Sequence, residues 1–513
     1  MEQRRLLIAL VVSFLVIIGY QELIRIYYKP PPPRPKTEAP REPAPTAPPA
    51  PAGPLAAPLG ETPNVEVETD TLRIRITPTG GRLAAVELKT YRRTVDPDSP
   101  PLDLVEPGPV LPGTLQLGAD RSDATLQYRP DRTELSVHGT DRGDVVLTAD
   151  GPDGLQWRKR YRFTGNGYLF ELEASVSGNG RPSTLGLVVT PLPADAPHAH
   201  GQSAIALADH RVETPIADLL KEPVRLEAAH WAGFATQYFL SVGLMPGGPA
   251  PAMFTASDGT PITRVDAPLG DNPATFSFFT GPKDHGLLTE ADHELARAID
   301  FGWFAFVAIP LLHALRLLNR ALGNYGFAII VLTAVIKVVT APLTRTTFRN
   351  MREMQKIQPQ MAKLRERFKD DQVALQKEMM ELYRRHRVNP FSGCLPMLLQ
   401  LPIFIGLYST LSHAIELRHA PFALWINDLS APDKLFIAGF GVPVLTLLMG
   451  ASMFVQQWLT PAQGDPTQQR MMMFMPLIFT FMFMNMPAGL VLYWLVNNIL
   501  TIAQQWMMMR DMK

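Results

Sequence analysis

Between Phe327 and Ala341 the sequence reads Phe-Ala-Ile-Ile-Val-Leu-Thr-Ala-Val-Ile-Lys-Val-Val-Thr-Ala, an apolar stretch with one charge, Lys337. A stretch of this kind is a membrane span before it is anything else. A cation deep in such a span costs roughly 2.5–3.5 kcal/mol on insertion scales and is tolerated where it faces a partner or a wet cavity. The sequence therefore predicts a polar, positively charged cavity inside the bilayer. The plainer alternative is that Lys337 snorkels, because at 1.5 Å per residue it lies only about 9 Å from the cytoplasmic end of its helix. The span Phe327–Leu343 is itself roughly 25 Å long against a hydrocarbon core of about 30 Å, so the bilayer thins here or polar fill flanks the helix.

The rest of the chain divides by texture. With 513 residues it exceeds one ordinary domain. Its formal net charge of zero argues against a global nucleic-acid binder, and its lone cysteine, Cys394, excludes an internal disulfide. Residues 1–28 open with Arg4 and Arg5 before an apolar run to Tyr20, and no small-residue cleavage site follows. This predicts an uncleaved signal-anchor helix with its N-terminus in the cytoplasm. Residues 29–63 are rich in proline and alanine, a semi-stiff spacer that holds the next domain off the membrane.

From 64 to 288 the pattern alternates. Thr71–Ile76 and Trp157–Phe163 follow period two, and Thr79-Gly-Gly81, Asp150–Gly154 and Gly165-Asn-Gly167 mark turns. The expectation is an antiparallel β-sandwich across the membrane from the cytoplasm. His198 and His200 form a His-x-His pair in a Pro/Ala/Gly loop, but no Cys, Asp or Glu stands at supporting spacing. A polar loop is the expectation there rather than a metal site.

Residues 289–513 are membrane-like. The apolar stretch Phe301–Leu312 is short, and Arg316, Asn319 and Arg320 follow on a helical face, so the helix 301–322 is expected to lie in the interface. Spans are predicted at 327–343, 395–415, 435–459, 471–486 and 488–508, six with the N-terminal anchor. The loop 345–387 then lies in the cytoplasm, and it holds about twice as many Lys/Arg as Asp/Glu. Counting 301–322 as a seventh span would put this basic loop outside.

Within 346–387, Phe348, Met351, Met354, Met361, Leu364 and Phe368 fall on one helical face. After the break at Lys369-Asp-Asp371, the residues Val373, Leu375, Met379, Leu382 and Tyr383 resume it, giving two antiparallel amphipathic helices with Pro359 bending the first. Such a hairpin can simply connect two spans. Its Met-rich stripe also suits a docking surface for varied apolar partners. Thr333, Gln400, Asn497, Asn498, Gln504 and Gln505 are polar residues on the spans, and such groups bond another helix or line water. The methionine-rich run Met471–Met486 is either lipid-facing or a sliding contact for passing apolar segments. No nucleotide-binding loop, nucleophile–base arrangement or metal-ligand cluster is evident, so neither an enzyme nor a cofactor is expected.

Several motifs together carry a resemblance. Asn324-Tyr-Gly-Phe-Ala-Ile-Ile330, Pro342-Leu-Thr344, Gln358-Pro359, Val388-Asn-Pro390, Gly393-Cys-Leu-Pro396 and Gln400-Leu-Pro-Ile-Phe404 come first in chain order. Glu416-Leu-Arg418, Ala420–Ile426, Asp428-Leu-Ser430, Asp465-Pro466, Gln468-Gln469, Phe474-Met-Pro476 and Gly489-Leu-Val-Leu-Tyr493 follow. From about Asp300 to Gln505 the sequence resembles the YidC family of Gram-negative membrane protein insertases, relatives of the mitochondrial and chloroplast Oxa/Albino type. The resemblance implies a membrane α-helical bundle of six transmembrane helices, five forming the insertase core, plus a periplasmic antiparallel β-sandwich similar to sugar-mutarotase folds. Fold alone carries no activity over.

The resemblance further implies a hydrophilic groove open to the cytoplasm and to lipid, through which short polar segments of nascent membrane proteins cross the inner membrane. Lys337 would be the groove cation, with Thr333, Gln400, Asn497 and Asn498 keeping it wet and Tyr493 and Trp494 as an aromatic wall. Met351, Met354, Met361, Leu364, Met379 and Tyr383 would belong to the hairpin that receives clients. Expected partners are nascent membrane proteins, lipid, the Sec translocon and the translating ribosome, with no nucleic acid bound directly. Both termini would be cytoplasmic.

The family usually has arginine where this sequence has Lys337. Lysine keeps the charge and loses the planar two-pronged fork, so simple attraction is the expected mechanism. The sequence ends at Arg510-Asp-Met-Lys513, where many family members continue into a basic tail, so ribosome contact through such a tail is not implied. Two rivals remain. A small-solute transporter would favour an inverted repeat, which is not evident. A membrane-tethered carbohydrate-active enzyme would work through the β domain.

Overall fold

The computed structural model describes residues 63–510 except 119–120, 152–153, 179–181, 195–200, 220, 258, 271, 369–370, 387–394, 438 and 460–465. The signal anchor, nearly all of the proline-rich spacer, and the His198/His200 pair lie outside the described residues. Packing below concerns residues 63–461 and 476–510. The helical stretch 466–475 belongs to a second unit.

Alternation builds the β domain. In Leu72–Thr77, Leu72, Ile74 and Ile76 are buried while Arg73 faces outward, and the strand pairs antiparallel with Val65–Glu68 and Arg82–Arg92. Three sheets of five, nine and six strands result. All their pairings are antiparallel except that of Val65–Glu68 with Glu134–Ser136, which is parallel. Trp231–Ala235 and Phe239–Leu244 are buried at every position. Both faces of these strands are covered, so alternation has no solvent side to mark and gives no sequence signal.

One polar cluster is buried within the domain's apolar core. Period two places Lys159 on the inward face of strand Gln156–Thr164, between Trp157 and Tyr161. Its ammonium lies 2.6 Å from the Asp123 carboxylate, and both side chains are fully buried. Lys159 also donates to the carbonyls of Gly80 at 2.6 Å, Gly81 at 3.2 Å and Gly113 at 2.7 Å. Asp123 accepts from the Tyr128 hydroxyl at 2.9 Å and the Leu115 amide at 2.8 Å. Gly80 and Gly81 have φ of 77° and 55°, a left-handed path that glycine follows at no steric cost, and both of their carbonyls serve the lysine. Burial pushes the Asp123 carboxyl up and the Lys159 ammonium down, each opposed by the other's charge. A buried pair with all its hydrogen bonds made is tolerable; a buried charge left alone is not.

The membrane part is helical: α1 (His285–Glu290), α2 (Ala305–Leu322), α3 (Tyr325–Arg367), α4 (Gln372–Arg385), α5 (Leu395–His413), α6 (Val444–Leu459), α7 (Pro466–Phe483) and α8 (Ala488–Arg510). Helix α8 packs against α3, α5 and α6, and α2 against α3 and α5. Gly302–Leu322 and Tyr325–Pro342 are long and apolar enough to cross a bilayer. Val335, Val338 and Val339 form an exposed apolar strip on α3, and Leu447, Val455 and Trp458 do the same on α6. Exposed apolar surface on this scale belongs against lipid.

Three features differ from the sequence expectation. Helix α3 is continuous for 43 residues, joining the span at 327–343 to the first hairpin arm, with Pro342 and Pro359 inside it. Its one glycine, Gly326, stands in the first turn, and the Thr346 hydroxyl donates to the Pro342 carbonyl at 3.1 Å. The window 435–459 is helical only from Val444. Leu435–Ile437 and Phe440–Val442 instead form a two-stranded hairpin turning at Gly439, with Pro443 ahead of the helix. Helix α7 runs 466–483, earlier than the 471–486 expected.

Helix α2 crosses the end of α5. Phe301 lies 6.3 Å from the His413 ring, and the Thr410 hydroxyl donates to the Ala308 carbonyl at 2.9 Å. A Cβ at Gly406 would come within 2.9 Å of Val307, so glycine permits this crossing. Farther along α2, Arg316 grips Glu416 just beyond α5 and donates to Asp284 of the β domain at 3.1 Å. Burial pushes the Glu416 carboxyl up, against the pull of Arg316. The Arg418 guanidinium donates to the Arg92 carbonyl at 3.0 Å, and the Gln237 amide donates to the Ser412 carbonyl at 2.7 Å.

The buried pair gives a stability test. Lys159→Met strands Asp123 and should cost about 3–5 kcal/mol, read as a lower unfolding temperature of the purified protein. Lys159→Met with Asp123→Leu removes both charges and should recover most of the loss. Equal unfolding of the single and double variants would contradict the account.

Candidate functional site: a polar stripe in the helical core

Tyr493, Asn497 and Thr501 stand four residues apart on α8 and so share one face. Two other helices meet this face. Gln400 of α5 donates its amide to the Tyr493 hydroxyl at 2.8 Å. Lys337 of α3 donates to the Thr501 hydroxyl at 2.8 Å, and that hydroxyl donates in turn to the Asn497 carbonyl at 2.6 Å. The polar stripe thus runs down α8, bounded by α5 at one end and α3 at the other.

Its burial is graded. Tyr493 is 1% exposed, whereas Asn497, Thr501 and Lys337 are half-buried. The outer end is sealed by the loop between α5 and α6. In that loop the Asp428 carboxylate accepts from the His419 and Ser430 amides at 3.1 and 2.8 Å. Its Ala431 and Leu429 carbonyls accept the Ala488 and Gly489 amides at 2.8 and 2.9 Å, pinning the start of α8. Asp433 caps α6 and accepts the Trp425 indole N–H at 2.6 Å. Asn324 caps α3 and donates to the Phe422 carbonyl at 2.9 Å. The polar residues of the Asn324-Tyr-Gly, Ala420–Ile426 and Asp428-Leu-Ser430 motifs are therefore the fastenings of a closed outer end.

Lys337 is electrostatically open. Among the described residues no carboxylate pairs with it, and its one hydrogen bond is to Thr501, leaving two N–H donors for something else.

The other expected groove residues have different surroundings. Thr333 is 1% exposed and its hydroxyl returns to the Ile329 carbonyl at 2.6 Å. Asn498 is 3% exposed and donates to Ser452 of α6 at 2.9 Å, a bolt between two helices facing away from the stripe. Trp494 packs in an aromatic cluster, 4.8 Å from Phe404 and 5.2 Å from Phe483. Sequence reasoning does not single out Thr501, although it stands one turn beyond Asn497 and three residues beyond Asn498.

In the hairpin, the side chain of Met351 lies outside the described residues. Met354, Met361, Leu364, Met379 and Tyr383 are half-buried, and the Tyr383 hydroxyl donates to the Met361 sulfur at 3.9 Å. Ile357 is 1% exposed at the centre of this stripe. The stripe therefore forms a seam between the arms, which leaves Val373 and Met380 outside. Among the described residues no three His, Cys, Asp or Glu side chains are gathered as metal ligands.

Residues 64–314 match the family described as the YidC periplasmic domain, and residues 317–513 match that of the 60Kd inner membrane protein. A membrane protein insertase YidC of Geobacter sulfurreducens is 39% identical over 534 residues, covering 99% of this chain and 98% of its own. One from Maridesulfovibrio salexigens is 37% identical over 555 residues, with both chains fully covered. A solved YidC insertase with its first transmembrane domain resolved matches 88% of this chain and 94% of its own, at 18% identity and a TM-score of 0.38. These relatives are insertases, which sets aside the solute transporter, and they place the β domain in the periplasm and the helices in the inner membrane. By sequence along its whole length, the chain belongs to the YidC family of membrane protein insertases.

Proposed function

We propose that Lys337 is the charge that draws the polar outer segment of a nascent membrane protein into the core. The observation that carries this reading is a half-buried ammonium with a hydroxyl partner and no described carboxylate partner. Two unit charges about 4 Å apart interact by roughly 4 kcal/mol at an effective dielectric near 20, against about 1 kcal/mol in water. A client carboxylate therefore gains at Lys337 part of what it loses on leaving water. Asn497, Tyr493 and Gln400 continue the polar path outward. The sealed outer end means that the client segment crosses only the last part of the bilayer without this help. Its apolar segment leaves sideways into lipid, and no covalent step is needed.

The α2 helix is read as interfacial, supported by its crossing of α5 at Gly406 and Thr410 and its Arg316–Glu416 pair just beyond the end of α5. With α2 outside the count, six spans put both termini in the cytoplasm. The hairpin receives clients by opening its half-buried methionine seam, with Met351, Met354, Met361, Leu364, Met379 and Tyr383 as its apolar contacts. Its basic surface favours the anionic translating ribosome, and the lipid-facing strips of α3 and α6 offer lateral contact to the Sec translocon.

Reconstitution of the purified chain in liposomes tests this. Protease protection of a short single-span client with an acidic tail should fall at least about 100-fold for Lys337→Glu, since attraction becomes repulsion of similar size. Lys337→Arg should retain insertion, and Thr501→Val should lower it only several-fold, the worth of one hydrogen bond. Full insertion by Lys337→Glu at equal protein level would overturn the role of the cation. Deleting Val65–Pro282 while keeping Asp284 for Arg316 should spare insertion, whereas a carbohydrate-active enzyme would lose its activity.

A further inference from the structure

Where the β domain meets the start of α2, a cavity of about 460 Å³ opens, within the range of small-ligand sites. Its polar lining comes from Arg211, Arg297, Asp300 and His285, and its apolar floor from Phe301 and Ile309. Beside it, Trp303 is 96% and Phe306 72% exposed. In a membrane protein, such aromatics mark the headgroup level. This placement rests on the reading of α2 as lying in the outer face of the membrane.

The charges select the ligand. Arg211 donates to Asp300 at 2.9 Å and to Glu213 at 2.6 Å, and Arg297 donates to Glu294 at 2.8 Å. Of these charges Arg211, Arg297 and Asp300 line the cavity itself, Glu213 and Glu294 pair with the arginines, and the Lys283 ammonium lies near Arg211, Glu213 and Asp300, while burial and nearby Arg316 hold His285 toward its neutral form. Three cationic groups, Arg211, Arg297 and Lys283, thus balance three anionic ones, Asp300, Glu213 and Glu294, which suits a ligand carrying both signs better than a lone phosphate. The Asp300 carboxylate is 58% exposed and Arg297 is 50% exposed, so each can take a further partner of opposite sign. The Nε of Arg211 is buried, and no described residue accepts its hydrogen. Buried donors of this kind are normally satisfied, by solvent or ligand where protein does not serve.

We infer that this cavity holds the headgroup of a zwitterionic phospholipid of the phosphoethanolamine type. Its ammonium sits at Asp300 and its phosphate at the two arginines, and its acyl chains leave past Ile309 and Phe306 into the outer leaflet. The lipid would then wedge the periplasmic domain against α2 at the level of the membrane surface.

The test uses the full chain in detergent, titrated with dihexanoyl phosphatidylethanolamine or dihexanoyl phosphatidylglycerol and read by native mass spectrometry. The ethanolamine lipid should bind at least tenfold tighter. Asp300→Asn should erase that preference, and Arg297→Gln, which leaves the Arg211–Asp300 bridge intact, should weaken both lipids several-fold. Inorganic phosphate at millimolar concentration should displace neither. Equal binding of the two lipids, an unchanged preference in Asp300→Asn, or displacement by phosphate would each overturn the inference, the last by making this a simple anion site. Depth is tested separately: quenching by lipids brominated near the headgroup should drop in Trp303→Phe. Without that drop, the placement of α2 fails whatever the headgroup preference.

Discussion

A half-buried amine with a hydroxyl partner and, among the described residues, no carboxylate partner is the interaction on which the proposed reading of the core depends. Such an amine is costly by itself, and the helices around it share the load: Thr501 gives its hydroxyl oxygen to Lys337, and that hydroxyl's own hydrogen goes to the Asn497 carbonyl. The chain of hydrogen bonds satisfies the donor enough to keep it in place while leaving it short of charge. A carboxylate at the position of Thr501 would satisfy it completely and leave a client nothing to neutralise. The hydroxyl is a weak partner, and in the proposed reading that weakness leaves the ammonium available to a client.

Around that point the molecule is stiff at its outer end and loose at its inner one. Outer closure comes from backbone amides and two aspartates: Asp428 holds its own loop, and Asp433 ties Trp425 to the first turn of α6. The arginine junction of Arg316 with Asp284 and Glu416 then joins this closed end to the periplasmic domain. Inward, the stripe becomes half-exposed, and the hairpin seam is held by methionines, which repack at little cost.

Much of this is legible in the order of residues alone. Period two finds the strand that carries Lys159, and the apolar windows 395–415 and 488–508 meet α5 and α8 to within two residues, whereas 327–343 covers only the first part of α3. The failures have physical causes. Strands buried on both faces, such as Phe239–Leu244, show no alternation, and the apolar run at 435–442 cannot be told from a helix by its letters, although its glycines turn it into a hairpin. At the candidate site, residue type identifies Lys337, Gln400 and Asn497, but not direction. Asn497 and Asn498 are adjacent and equivalent as letters, yet one faces the stripe and the other bolts α8 to Ser452. Thr501 escapes notice because a threonine in an apolar helix usually answers its own backbone, as Thr333 does here.

The continuity of α3 has a mechanical meaning. At 1.5 Å per residue, the arm from Lys337 to Arg367 is roughly 45 Å long. A tilt of about 5° at the ammonium therefore corresponds to about 4 Å of travel at the hairpin tip. A force applied at that tip would work a lever whose short end carries the charge. Pro342, five residues from Lys337, withholds one backbone hydrogen bond, so bending there would take up part of the travel and the rest would reach the ammonium. Docking at the cytoplasmic surface and electrostatics in the bilayer would then be two ends of one movement.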